Sequence, residues 1–198
     1  MQRVTLPFRE SARKLIHLVG ALIPLLYWSL DLTRVEALLI LGSLTLPFVA
    51  TEAVRLRWPA VNRWFLRWFR GAMRPEEEEQ KPTGALYYFL ACWVTILIFE
   101  RTVAVVALLV LACGDTAASV AGQTLGGYRI TQGKTLAGTV AFTVAAFVVT
   151  LPFFPPAPAL AGAVIAAVTE CLPLPLNDNI TIPLAAGTTL TLLRAAPL

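Results

Sequence analysis

Residues 101–121 read RTVAVVALLVLACGDTAASVA, an apolar run that is followed by a glycine and an aspartate within the same segment. A helix of this length and composition can cross a bilayer, whose hydrocarbon core requires about 20 apolar residues. Asp115 lies near one end of the segment, and an ionisable residue within a span is costly unless it has a partner or a function. The segment therefore predicts a membrane-spanning helix that carries a functional carboxylate.

The composition of the whole chain is typical of an integral membrane protein. Of its 198 residues, 57% are hydrophobic and 14% are charged, and the mean hydropathy is +0.71. A soluble domain of this size would be less apolar. We therefore predict an all-α protein with one integral membrane domain, 1–198, a polytopic bundle of about seven transmembrane helices plus one interfacial amphipathic helix. The predicted spans are 14–30, 34–50, 84–99, 101–121, 136–154, 157–171 and 178–194.

The distribution of basic residues predicts the orientation of the chain. With a cytosolic N-terminus, thirteen of the sixteen lysine and arginine residues lie on the cytosolic side, and Arg34, Arg101 and Arg194 lie outside. This asymmetry follows the positive-inside rule. We predict a multi-pass membrane protein whose N-terminus and active site are cytosolic. The net charge of +4 reports this topology and requires no nucleic-acid partner.

Segment 58–74 differs from the spans because it combines charge with aromatic residues at helical spacing. This pattern predicts an amphipathic helix in the headgroup region, which anionic membrane lipids attract and tryptophan anchors. Residues 75–83, which include four consecutive glutamates, are predicted to be an acidic cytosolic linker. The basic face of the helix contains Arg63, Arg67, Arg70 and Arg74, opposite Val61, Trp64, Phe65 and Trp68.

Several charged residues are predicted to share one depth, at the cytosolic ends of their helices. Each has an ordinary explanation when taken alone, such as a helix cap or a side chain that reaches the interface. Their shared depth instead predicts a common functional site. The carboxylates are Glu52, Asp115, Glu170 and Asp178, and Glu10, Arg13, Lys14 and His17 lie on one face of the first helix.

Carboxylates beside lysine and arginine match the needs of a magnesium–nucleotide complex, because metal and cations together neutralise the phosphates. Loop 122–135 fits this chemistry. Its glycines allow close backbone approach, and Arg129 and Lys134 supply positive charge. The loop is not a P-loop, because one residue too many separates Gly127 from Gly133 and no buried strand precedes them.

These motifs resemble those of the CTP-dependent lipid-alcohol kinases, which comprise phytol kinase, dolichol kinase and the fungal-type diacylglycerol kinase. The resemblance covers most of the chain. It implies transfer of the γ-phosphate of a nucleoside triphosphate, with CTP as the expected donor, to the hydroxyl of a membrane-dissolved alcohol. It rests on Glu10-x-x-Arg13-Lys14-x-x-His17-x-x-Gly20, on Gly114-Asp115 followed by Gly122 and Gly126, on Gly133-Lys134-Thr135-x-x-Gly138, and on Glu170 followed by Asn177-Asp178-Asn179 and Pro183.

The clustering and the resemblance together suggest a role for each candidate residue. Asp115 and Asp178 are expected to hold Mg²⁺, or one of them to accept the proton of the alcohol, and Glu170 is a third expected metal ligand. Lys134 and His17 complete the catalytic set, and His17 is expected to orient substrate or phosphate. The expected nucleotide- and phosphate-binding residues are Arg13, Lys14, Gly122, Gly126, Arg129, Gly133, Lys134 and Asn179.

Three alternatives stay open at this point. A CDP-lipid synthase resembling phosphatidate cytidylyltransferase would attack the α-phosphate with a lipid phosphate and release pyrophosphate, whereas the kinase releases CDP. A small transporter would place charges at mid-membrane, reachable from both sides, and a non-catalytic scaffold would need no such site. In addition, Ala137 stands where the family usually has a glutamate, which implies an altered donor, a substitute role for Glu170 or Glu52, or reduced activity.

Overall fold

The computed structural model describes residues 18–69, 81–131 and 133–195. These residues form eight α-helices and one short β-hairpin, so the predicted all-α class is confirmed. The hairpin pairs β1 (Arg129–Thr131) with β2 (Lys134–Thr135) in antiparallel fashion. The helices are α1 (Leu22–Ser29), α2 (Arg34–Arg57), α3 (Pro59–Phe69), α4 (Gly84–Ile98), α5 (Arg101–Thr124), α6 (Leu136–Thr150), α7 (Pro156–Cys171) and α8 (Asp178–Ala195).

Helix α5 forms the centre of the bundle. Every residue from Val103 to Ala112 is buried, and α1, α4, α6 and α8 all pack against this helix. A helix that is hydrophobic on all sides is expected at the centre of a bundle or in a membrane. The segment that most strongly predicted a membrane helix therefore also supplies the core.

The outer helices turn apolar residues away from this core. Successive turns of α6 expose Val140, Val144 and Val148, and α7 exposes Val164 and Val168. Soluble monomers rarely carry contiguous apolar surface of this kind, which marks contact with lipid or with another protein. The exposed apolar faces of α6 and α7 are therefore candidate contact surfaces for lipid or for another protein.

Two helices, α2 and α5, are long and apolar enough to cross a membrane. Helix α6 has 15 residues, and at 1.5 Å per residue it spans about 22 Å, less than a hydrocarbon core of about 30 Å. Helix length alone thus does not establish the seven predicted spans. Within the described ranges, four shorter apolar helices accompany the two long ones. They are Leu18–Ser29, which includes α1 and the helical residues before it, and α4 (Gly84–Ile98), α6 (Leu136–Thr150) and α7 (Pro156–Cys171).

Several predicted boundaries move in the structure. Helix α2 continues to Arg57, well beyond the predicted end at residue 50, and α3 occupies 59–69 of the predicted amphipathic segment 58–74. The predicted loop 122–135 begins as the last turn of α5 and continues as the hairpin. The start of the first predicted span, residues 14–17, and the acidic run lie outside the described residues.

The arginines assigned to the outside lie together at one end of the bundle. Arg101 pairs with Asp31, and Arg194 pairs with Glu100. Arg34 donates a hydrogen bond of 3.0 Å to the backbone carbonyl that follows α4. Asp31 and Glu100, which the sequence analysis had not associated with these arginines, therefore balance Arg101 and Arg194 locally.

Two glycines set the close approach of α5 and α6. A Cβ at Gly138 would lie 2.8 Å from the carbonyl oxygen of Ala118, and one at Gly122 would lie 2.9 Å from Thr135 Oγ1. The same Thr135 hydroxyl caps α6 by accepting a hydrogen bond of 3.1 Å from the Gly138 amide. This crossing places strand β2 directly over the polar end of α5.

We expect Gly138→Ala to destabilise the protein by about 1–3 kcal/mol, because the added methyl group meets rigid backbone and must push α5 and α6 apart. Thermal unfolding of the purified protein in detergent measures the effect. Gly42→Ala is the matched control, since its nearest neighbour would be Trp93 Nε1 at 3.7 Å. Equal unfolding temperatures for both variants would contradict the close crossing.

Candidate active site

Four charged side chains meet at the end of the bundle opposite the arginine pairs. Lys134 Nζ lies 2.6 Å from Glu170 Oε1 and 3.4 Å from Asp178 Oδ2. A third carboxylate, Asp115, lies close enough for its charge to act on Lys134. These residues come from α5, β2, α7 and α8. The structure thus brings three of the four carboxylates that were predicted to share one depth together with Lys134 from the predicted loop 122–135, whereas the fourth, Glu52, lies in a separate ion pair.

The β-hairpin positions Lys134. Gly126, Gly127 and Gly133 all have positive φ angles, of 61°, 95° and 92°, which residues with a Cβ rarely adopt. The amide of Leu136 donates a hydrogen bond of 2.8 Å to the carbonyl of Tyr128, which ties the base of the hairpin to the start of α6. The glycines therefore shape the strand that carries Lys134, and their open surroundings leave space beside it.

The break between α7 and α8 positions the two acidic residues that face Lys134. Glu170 lies in the last turn of α7, and α8 begins at Asp178. Pro173 and Pro175 prevent the helix from continuing between them. The N-terminal position of Asp178 is favourable because the positive end of the helix dipole stabilises a carboxylate.

The electrostatics of the cluster keep Lys134 charged. Burial lowers the pKa of Lys134, but the carboxylates of Glu170, Asp178 and Asp115 more than compensate and raise that pKa above its ordinary value of 10.5. The stabilisation that this charge provides is complete below the ordinary pKa and disappears as the pH rises through the folded-state value. Lys134 is therefore a permanent ammonium at neutral pH, suited to binding phosphate and unsuited to acting as a base.

The two carboxylates bonded to Lys134 differ in exposure. The side chain of Glu170 is only 3% exposed, whereas that of Asp178 is 42% exposed. Glu170 therefore acts as the internal counter-ion that holds Lys134 in place. Asp178 makes the longer contact and remains accessible to a substrate or a metal.

Asn179 has a different environment from the one expected for a phosphate-binding residue. It is buried, and its amide nitrogen Nδ2 donates a hydrogen bond of 3.1 Å to the carbonyl of Gly84. Its backbone amide also donates to Asn177 Oδ1 at 3.0 Å. Asn179 thus connects the start of α8 to the start of α4, and its expected contact with phosphate stays a prediction.

The other predicted phosphate-binding residues are only partly placed at the cluster. Arg129 is exposed on β1, Gly126 and Gly133 shape the hairpin, and Gly122 packs beneath Thr135. The last predicted group, Arg13, Lys14 and His17, lies outside the described residues.

A second buried ion pair lies beside this site. Arg55 Nη2 is 2.7 Å from Glu52 Oε2, and the same carboxylate oxygen accepts a hydrogen bond of 3.2 Å from the amide of Thr83. Arg55 also donates to the carbonyl of Lys81 at 2.8 Å. Thr83 precedes Gly84, the residue that Asn179 contacts, so both buried networks meet at the start of α4.

Sequence reasoning placed Glu52 among the carboxylates of the common site but missed its partners. In the structure, Arg55 and the amide of Thr83 engage the Glu52 carboxylate. Thr83 gives a recognisable helix-cap signal. Its contact with a carboxylate 31 residues earlier has no local signature.

The donor set suits a magnesium–nucleotide complex better than a preformed metal site. Within residues 18–69, 81–131 and 133–195, no group of three or more His, Cys, Asp or Glu side chains is arranged to hold a metal ion. Mg²⁺ commonly takes one or two carboxylates and completes its shell with water and substrate phosphates. Asp115 and Asp178 match that pattern, whereas Glu170 is committed to Lys134.

Comparison with known proteins identifies two fungal relatives with the same name, "CTP-dependent diacylglycerol kinase 1". The chain is 32% identical over 97 residues to the Schizosaccharomyces pombe protein, which covers 48% of this chain and 44% of that protein. It is 32% identical over 136 residues to the Eremothecium gossypii protein, covering 67% of this chain and 42% of that one. The chain thus matches less than half the length of these two relatives.

A third relative, the uncharacterized protein RP860 of Rickettsia prowazekii, is 24% identical over 144 residues and covers 72% of this chain and 69% of that protein. No family model matches the chain. No solved structure matches it either. The similarity to CTP-dependent diacylglycerol kinases therefore supports the kinase part of the resemblance, while phytol kinase, dolichol kinase and the CDP-lipid synthases have no counterpart among these relatives.

Lys134 and Glu170 should show a large coupling energy in a double-mutant cycle. We expect Lys134→Gln alone to cost about 3 kcal/mol of unfolding free energy, because it leaves the buried Glu170 carboxylate without its partner. Adding Glu170→Gln should restore much of this loss, which gives a coupling of about 1–3 kcal/mol. Denaturant titration in mixed micelles measures all four states of the cycle.

The exposed pair Arg194–Glu100 at the other end provides the control cycle. Its coupling should stay below about 1 kcal/mol, because water screens exposed charges. Equal coupling in the two cycles would contradict the structural role given to Glu170.

Proposed function

We propose that this chain is a membrane-embedded kinase that transfers the γ-phosphate of CTP to the hydroxyl of a lipid alcohol, with diacylglycerol as the first acceptor to test. The observation that carries the proposal is the convergence of Asp115, Lys134, Glu170 and Asp178 at one end of an apolar bundle. The names of the two fungal relatives supply the donor and the acceptor class.

Each residue of the cluster has a chemical task in this reaction. The Lys134 ammonium binds phosphate oxygens and stabilises the charge that develops as the γ-phosphoryl group is transferred. The buried carboxylate of Glu170 holds the Lys134 ammonium in position through their ion pair. Asp115 would hold Mg²⁺, and Asp178 would either hold it as well or accept the proton of the alcohol; the metal supplies charge neutralisation when it binds with the nucleotide.

The transfer itself requires only one proton movement. The alcohol oxygen forms the new bond to the γ-phosphorus, the bond from that phosphorus to the bridging oxygen of CTP breaks, and CDP leaves with the electron pair. The proton of the hydroxyl passes to a carboxylate. Of Asp115 and Asp178, we assign this role to Asp178, because its exposed side chain can be reached by the alcohol. Glu170 is poorly suited to this role because Lys134 already occupies it.

The location of the cluster favours an acceptor that is dissolved in the membrane. We infer seven membrane spans with the cluster at the cytosolic ends of the helices. The exposed apolar faces of α6 and α7 support contact with lipid. An alcohol such as diacylglycerol, phytol or a polyprenol such as dolichol holds its hydroxyl at headgroup level, where it can meet the cluster laterally. Arg13, Lys14 and His17 would approach the phosphates from the N-terminal segment.

Asp115→Asn should reduce transfer from radiolabelled CTP to diacylglycerol by about 100-fold or more, because it removes a charge that the phosphoryl-transfer site needs. The purified, reconstituted chain is assayed for labelled lipid and for CDP, with phytol and polyprenol as parallel acceptors. Asp31→Asn at the opposite end is the matched control and should retain wild-type activity. Release of pyrophosphate would reject the kinase in favour of a CDP-lipid synthase.

A further inference from the structure

Helix α3 presents three different faces. Its half-buried residues Val61, Asn62, Phe65 and Leu66 form the face turned towards the bundle. Among the exposed residues, Arg63 and Arg67 form one stripe and Trp64 and Trp68 form the stripe beside it, as the helical repeat of 3.6 requires. Trp64 is 58% and Trp68 is 73% exposed. The tryptophans therefore lie beside the arginines on the outer surface, whereas the sequence pattern had placed them opposite.

The bundle-facing side fixes the orientation of this outer surface. Arg55 Nη1 donates a hydrogen bond of 3.2 Å to Asn62 Oδ1, and the Arg55 guanidinium lies 5.4 Å from the centre of the Phe65 ring. Arg55 is almost fully buried and paired with Glu52. Rotation of α3 would break these contacts around a buried charge, which is costly.

The chemistry of the outer surface fits one kind of partner. The described part of helix α3 has 11 residues and carries arginines along its exposed surface, which disfavours a position across the hydrocarbon core. Tryptophan prefers the boundary between headgroups and acyl chains, and arginine is attracted to anionic lipid phosphates. Adjacent tryptophan and arginine stripes therefore match an anionic membrane surface.

We propose that Arg63, Trp64, Arg67 and Trp68 bind the anionic headgroup surface of the membrane and thereby hold the polar end of the bundle at headgroup depth. The connection to the active site runs from Asn62 through Arg55 and Glu52 to Thr83, and from the adjoining Gly84 to Asn179, the neighbour of Asp178. Anionic lipid should consequently lower the KM for the lipid acceptor. This kinetic consequence rests on the proposed kinase function, whereas the lipid contact does not.

The lipid contact is measured by tryptophan fluorescence in the whole 198-residue chain, reconstituted into phosphatidylcholine bilayers that contain phosphatidylglycerol. Either lipid is supplied in brominated form as a quencher, and Trp64→Phe/Trp68→Phe isolates the signal of the two tryptophans. Brominated phosphatidylglycerol should quench them more strongly than brominated phosphatidylcholine. This preference should fall by about fivefold for each of Arg63 and Arg67 replaced by glutamine.

Arg34→Gln/Arg194→Gln is the control that removes two positive charges from the opposite end, and it should keep the preference. Equal quenching of Trp64 and Trp68 by both lipids, or no quenching by either, would overturn the proposal; the second result would indicate a protein partner. In the kinase assay, Arg63→Gln/Arg67→Gln should abolish the effect of phosphatidylglycerol on KM and leave kcat unchanged. Lipid-selective quenching without kinase activity in any variant would reject the proposed function and retain the lipid-binding surface.

Discussion

The buried ion pair between Lys134 and Glu170 is the interaction on which the active end of the molecule depends. It joins a hairpin after α5 to the last turn of α7, two segments that are 36 residues apart. Glu170 is almost inaccessible to solvent, and a carboxylate in such a place requires a positively charged partner. Formation of the pair therefore also determines where Asp178, at the start of the next helix, comes to lie.

The two ends of the bundle use charge in different ways. At one end, Arg101 and Arg194 each pair with a carboxylate that is well exposed, and these contacts close the helix ends. At the other end, Asn179 and the Glu52–Arg55 pair both contact the backbone at the start of α4. These contacts connect the start of α8 and the end of α2 to the same point. A buried and connected arrangement restricts the positions of its members more than exposed pairs do. Such restriction is what a site for phosphoryl transfer needs.

Much of this arrangement follows from sequence, and the remainder depends on packing between distant segments. The apolar run of α5 predicted the all-α bundle. The charged helix ends predicted a common site for Glu52, Asp115, Glu170 and Asp178 together with Lys134, because an ionisable residue in an apolar segment needs a partner or a function. Three of these carboxylates lie with Lys134, whereas Glu52 pairs with Arg55, and the function of the site stays a prediction. The partner of Asn179 was not predictable because it lies 95 residues away. The outward direction of Trp64 was not predictable because it depends on how α3 packs against the buried Arg55. The hairpin was missed because its strands are only two or three residues long and its glycines also fit an irregular loop.

The charge balance at the site indicates how a nucleotide can enter it. Among the described residues, three carboxylates act on the one Lys134 ammonium, and the expected phosphate-binding residues Arg13 and Lys14 lie outside the described residues. A polyphosphate is itself strongly negative and would be repelled unless further positive charge arrives with it or lies nearby. Arg129 on the hairpin supplies one such charge, and a divalent cation bound to the phosphates supplies more. In the proposed kinase, binding of CTP and binding of Mg²⁺ should therefore favour each other, because the cation reduces the repulsion between the phosphates and the carboxylates.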